Sequence, residues 1–176
     1  MSTTVKWGLI TGMVYVISSL ISNMLGLQQG GGGSMGLGML VNILLFGITF
    51  YTLFLGVKEV RDTELNGYLN MGQAFRSGMK IAVIAGVIGA IFSFIYMKFI
   101  DPGMADMIME GAEEQWDKMN VPEEQREMSR KITGMFLNPL IMAPFMLVWV
   151  AFWGVIKSLI AGSILKKEPP PTAPIA

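Results

Sequence analysis

Four long apolar runs constrain this chain more than any other feature. They lie at residues 7–27, 37–57, 79–100 and 139–165. A helix rises about 1.5 Å per residue, so about 20 residues cross a hydrocarbon core about 30 Å thick. Inside lipid each backbone N–H must be paired within its own segment, which makes these runs transmembrane α-helices. The expected fold is therefore an all-α integral membrane protein. It has four transmembrane helices in a bundle and short amphipathic helices in the 101–137 loop. Residues 1–167 form one domain, and residues 168–176 form a disordered Pro-rich tail. The first run is too long for a signal peptide and lacks a small-residue cleavage site, so it reads as an uncleaved first helix.

The cations orient the bundle. With four spans, both termini and the 58–78 loop share one side. Lys6, Lys58, Arg61, Arg76, Lys80, Lys157, Lys166 and Lys167 belong to that side when each boundary residue goes with its nearest helix end. The other side holds Lys98, Lys118, Arg126, Arg130 and Lys131, so the count is eight against five. The positive-inside rule then places both termini in the cytoplasm. Arg76 and Lys80 mark the cytoplasmic mouth of the third span, where their ends can snorkel to lipid phosphates.

Composition removes whole classes of function. The chain has no Cys and no His, which excludes disulfides, thiolate nucleophiles, imidazole bases and Cys/His zinc sites. The formal net charge is zero, so bulk charge draws in no nucleic acid. No catalytic residue, cofactor or metal ligand set is expected. The partners are membrane lipid, with a second copy or another membrane protein as further possibilities.

Small and hydroxyl residues recur at spacings of three and four in every span. Gly8 and Gly12 mark the first, Asn42 and Thr49 the second, Gly78, Ala82, Gly86 and Ala90 the third, Gly154 and Ser158 the fourth. In lipid, helices associate through close backbone approach and interhelical hydrogen bonds, and both favour such residues. These ten positions are the expected packing seams. The set from Gly78 to Ala90 is also the best seam for a second copy. A polar translocation path along the stripes is the sharper reading. Asn42, Thr49 and Thr52 are its candidates, and the lack of a carboxylate inside any span counts against it.

The loops carry less. "QQGGGGSMG" between the first two spans reads as a flexible linker, without the lysine and hydroxyl of a phosphate-binding loop. "GMADMIMEGAEEQWDKM" alternates as an amphipathic helix, and "PEEQREMSRKITG" reads as a second helix with acids first and bases last. Met104, Met107 and Met109 could take Cu(I) through thioethers, although Met more often fills irregular gaps. Glu110, Glu113, Glu114 and Asp117 share a helix side; a solvated acidic face suits them better than a cation site. In the 58–78 loop, Asn66-Gly67 is a turn signal, and Tyr68, Met71, Phe75 and Met79 suggest an interfacial helix. Pro139 after Asn138 suits a helix start, and Pro144 should bend the fourth helix.

"YLNMGQAFRSGMKIAVIAG", "FIDPG" and "GVIKSLIAGSILKKEPPP" together resemble a bacterial inner-membrane family, domain of unknown function 4199. The resemblance implies four spans and an inner-membrane location, and no activity or site residue. The residues themselves favour a non-enzymatic structural or accessory subunit of a membrane assembly. The alternatives are a small carrier or channel, and an interface enzyme using the 101–137 carboxylates.

Overall fold

A computed structural model describes residues 1–24 and 35–168. The Gly-rich linker and the Pro-rich tail lie outside them, apart from their edges. Among these described residues six α-helices follow in order: α1 Thr3–Met24, α2 Met35–Thr63, α3 Met71–Ile95, α4 Met104–Lys118, α5 Glu123–Leu137 and α6 Pro139–Leu165. A π-helical turn, Tyr96–Ile100, extends α3. Helices α1, α2, α3 with its π turn, and α6 are long and apolar enough to cross a membrane. The chain is an all-α multi-pass membrane protein.

Two boundaries differ from the sequence reading, for local reasons. Helix α2 runs through Thr63, and α3 begins at Met71, so the supposed interfacial helix is the first two turns of α3. Asn70 starts α3 with a capping box: its side chain accepts from the Gln73 N–H while Gln73 Oε1 accepts from the Asn70 N–H, both at 2.9 Å. Asn66 and Gly67 turn the chain with φ of 52° and 83°, the left-handed region that this residue pair tolerates. Two backbone hydrogen bonds of 2.8 and 2.9 Å then clip Leu69 to Lys167, joining the start of α3 to the end of α6.

Helix α3 is central and packs along α6 on one side and α1 on the other. Its register with α6 is regular. Ala74 meets Gly162, Gly78 meets Ser158, Ala82 meets Gly154 and Gly86 meets Val150. Each step advances four residues on α3 and retreats four on α6, so the small residues form matching rows on antiparallel helices. On the opposite side Gly8 and Gly12 receive Ile84 and Ile88 of α3. Helix α2 is anchored where Gly56 accepts Trp7 and Ile81. Leu53, Val57 and Ile81, each 2 % exposed or less, fill the centre of this end of the bundle.

Asn138 caps α6 by accepting from the Leu140 N–H at 3.0 Å, with Pro139 in the first turn. Pro144 sits inside α6 without ending it. Beyond the membrane, α4 and α5 form a hairpin held by arginines. Arg130 binds Glu113 at 2.7 Å and Glu123 at 3.0 Å, and Arg126 pairs with Asp117 and donates to the Val121 carbonyl. The Glu113 contact, with lesser help from Glu123, holds the Arg130 guanidinium above its ordinary value.

Candidate functional site

The fourth span carries a lysine at depth. Lys157 precedes Leu165 by eight residues, which places it about 12 Å inside the end of α6. It shares a helix face with Gly154, Ser158 and Ala161, and that face turns inward, so Lys157 is only 4 % exposed. Counting it with the cytoplasmic mouth was therefore wrong. Its side chain does not snorkel to the nearer surface; it crosses to α2.

There Lys157 Nζ donates to Thr49 Oγ1 at 2.6 Å. The ammonium also stands 4.5 Å from the centre of the Phe46 ring, within cation–π range. Phe46 is held edge-on by Trp153 at 5.2 Å, one turn before Lys157 on α6. Thr49 is 1 % exposed and passes its own proton to the Leu45 carbonyl at 2.8 Å. The hydroxyl thus donates within its own helix and accepts from α6. Among the described residues no carboxylate lies within ion-pair distance of Lys157.

Hydroxyls continue from this point in both directions. Toward the N-terminal end of α1, Thr52 lies 3.0 Å from Thr11, and Thr11 reaches the Trp7 carbonyl at 2.8 Å. The Trp7 indole N–H then donates to Glu59 at 2.8 Å, and Lys6 pairs with the same carboxylate at 2.6 Å. Toward the α4–α5 end, the Tyr15 phenol interacts with Thr49. Tyr15 also lines a cavity of about 130 Å³ in the other half of the bundle, with Ser19, Ser93 and Tyr96.

The predicted seam residues fall into three groups. Gly8, Gly12, Gly78, Ala82, Gly86, Gly154 and Ser158 are buried between α1, α3 and α6. Ala90 is half-buried and Asn42 lies on an exposed part of α2. Thr49 alone joins the lysine. Gly78, Ala82 and Gly86 pack against α6 within the chain. Lys157 was absent from the predicted set. Its signal was present in the distance to Leu165 and in its place on the Gly154–Ser158–Ala161 face.

The match to a known family covers residues 6–167, nearly the whole chain. The chain belongs to the DUF4199 family, described as proteins of unknown function. No curated protein and no solved structure matches it. In this DUF4199 protein four carboxylates of the acidic loop are engaged in ion pairs. Glu113, Asp117 and Glu123 are spent on Arg126 and Arg130, and Glu114 faces Lys118 at 3.7 Å. Among the described residues no three His, Cys, Asp or Glu converge to hold a metal ion. What the DUF4199 bundle does offer, among the described residues, is one buried cation, one hydroxyl partner and a row of further hydroxyls.

Proposed function

We propose that the protein is a small membrane carrier for a small monovalent anion, with Lys157 as the binding group. The observation that supports it is an ammonium at membrane depth with no protein carboxylate beside it among the described residues. A buried charge is costly, and a bundle that needed only packing would be served better by Met or Leu at that position. A single cation with one hydroxyl at 2.6 Å suits one small negative charge. The Phe46 ring and the Thr49 hydroxyl would orient it.

The test is flux into liposomes carrying the purified full chain, followed with a halide-sensitive dye and with nitrate and formate gradients. Transport above empty liposomes, abolished by Lys157→Met and partly kept by Lys157→Arg, is the expected result. Absence of flux for all three anions would sink the reading.

A second reading is the accessory subunit, supported by the burial of Lys157, a residue only 4 % exposed. On that reading the lysine locks α2 to α6, and a stoichiometric membrane partner should survive mild-detergent purification.

For location we propose the bacterial inner membrane with both termini in the cytoplasm. Removing Lys157 from the count leaves seven cations on that side against five on the other. A reporter active only outside the cytoplasm should be silent after Ala176 and active when inserted near Gly32. The reverse pattern would invert the topology.

A further inference from the structure

The cavity near the α4–α5 end carries a second, independent observation. Its walls include four thioethers: Met97 from the π turn, Met104 from the start of α4, and Met142 and Met146 one turn apart on α6. Met97 and Met104 are 5 % and 9 % exposed. Methionine is the side chain best able to close an irregular gap, because three rotatable bonds let it reshape. Here four of them surround about 130 Å³ that they do not fill. Filling is therefore a poor account of why they converge.

The local backbone beside the cavity is irregular. The π turn pairs the Asp101 N–H with the Tyr96 carbonyl at 2.8 Å, and such turns are frequent at functional sites. Gly89 faces Met146, and a Cβ at that position would stand 3.3 Å from its methyl and 4.0 Å from its sulfur. The room beside the sulfur exists because position 89 has no side chain. The remaining polar groups are the hydroxyls of Tyr15, Ser19, Ser93 and Tyr96.

We infer that this cavity is a binding site for a soft monovalent cation, Cu(I) by preference. Thioethers are soft donors and select Cu(I), and the chain has neither Cys nor His to make a competing soft or borderline site. Calcium and magnesium sites are built on oxygen ligands that usually include carboxylates, and among the described residues no carboxylate lines the cavity. Desolvation rises with the square of the charge, so a walled-in neutral site favours a single positive charge over two. Of the three methionines singled out in the sequence, only Met104 belongs to this site. Met107 and Met109 do not line it.

The experiment is anaerobic titration of the purified full chain with Cu(I) against a chromophoric Cu(I) chelator, with X-ray absorption at the copper edge. One tight equivalent and a first shell dominated by sulfur are expected. The triple variant Met97→Leu, Met142→Leu, Met146→Leu keeps volume and apolarity. It should weaken binding at least ten-fold while the exposed-site control Met107→Leu, Met128→Leu leaves it unchanged. Gly89→Ala, a single change that presses on Met146, should weaken binding as well and serves if the triple variant does not fold. No binding would overturn the site. So would equal loss in the control variant, a first shell of oxygen, or displacement by millimolar sodium or potassium.

Discussion

Gly78→Leu is expected to prevent the bundle from assembling, with loss of monodisperse protein in mild detergent. The smaller change Gly78→Ala should already lower the thermal midpoint measurably. A Cβ at Gly78 runs into Ser158, whose hydroxyl is tied to the Gly154 carbonyl at 2.6 Å and whose residue is wholly buried. The neighbour cannot swing aside without breaking that bond or moving α6. Nor can α6 move easily, because the next contact in each direction is another close pair, Ala82 with Gly154 and Ala74 with Gly162. Overpacking of this kind costs about 1–3 kcal/mol for a small addition and more for a side chain the size of Leu. Gly47 is the control. Nothing lies within 4 Å of its added Cβ, so Gly47→Ala should be neutral or gain up to about 1 kcal/mol from helix propensity. Heating in detergent followed by size-exclusion chromatography separates the outcomes. If Gly78→Ala and Gly47→Ala shift the midpoint equally, the α3–α6 contact does not hold the bundle.

The parts of this fold that were legible from sequence are those governed by the bilayer. Apolar length alone located four helices, because lipid leaves no other backbone solution. Gly78, Ala82, Gly86, Gly154 and Ser158 stood out in the sequence for a related reason, since small residues let antiparallel helices approach closely; Ala74 and Gly162, which continue the same rows, did not. What failed at 58–78 was a boundary judged by hydropathy. Lys58, Arg61 and Arg76 are charged, yet the backbone continues through them as helix, because capping by Asn70 and the turn at Asn66-Gly67 set the ends. Lys157 was misplaced because a charge count assigns each cation to an end of its helix. Depth depends on which way the side chain leaves the helix, and that in turn depends on which face of α6 turns into the bundle. The four-methionine cavity joins Met97 and Met104 to Met142 and Met146 on α6, some forty residues further on, and no spacing rule connects the two pairs.

Lys157 and Thr49 should respond to mutation with opposite signs. Removing the lysine as Lys157→Met takes a charge out of the bundle and leaves Thr49 satisfied, since its proton goes to the Leu45 carbonyl at 2.8 Å. Replacing a buried ionic group by an apolar side chain of similar length is often neutral or stabilising by about 1–4 kcal/mol. Removing the hydroxyl as Thr49→Val keeps the volume and strips the ammonium of its acceptor at 2.6 Å. That change should destabilise by about 3 kcal/mol, the cost of a buried charge losing its partner. The double variant should regain most of the loss, because the ammonium that needed the acceptor is gone and only the weaker Tyr15 contact to Thr49 is missing. The readout is thermal unfolding of the four proteins in one detergent, which closes a double-mutant cycle. The same cycle sorts the two functional readings. A lysine that serves as a lock between α2 and α6 makes Lys157→Met the damaging change, and both single variants then fall together. A lysine kept for an anion costs the bundle stability, so Lys157→Met rises in midpoint while its flux disappears.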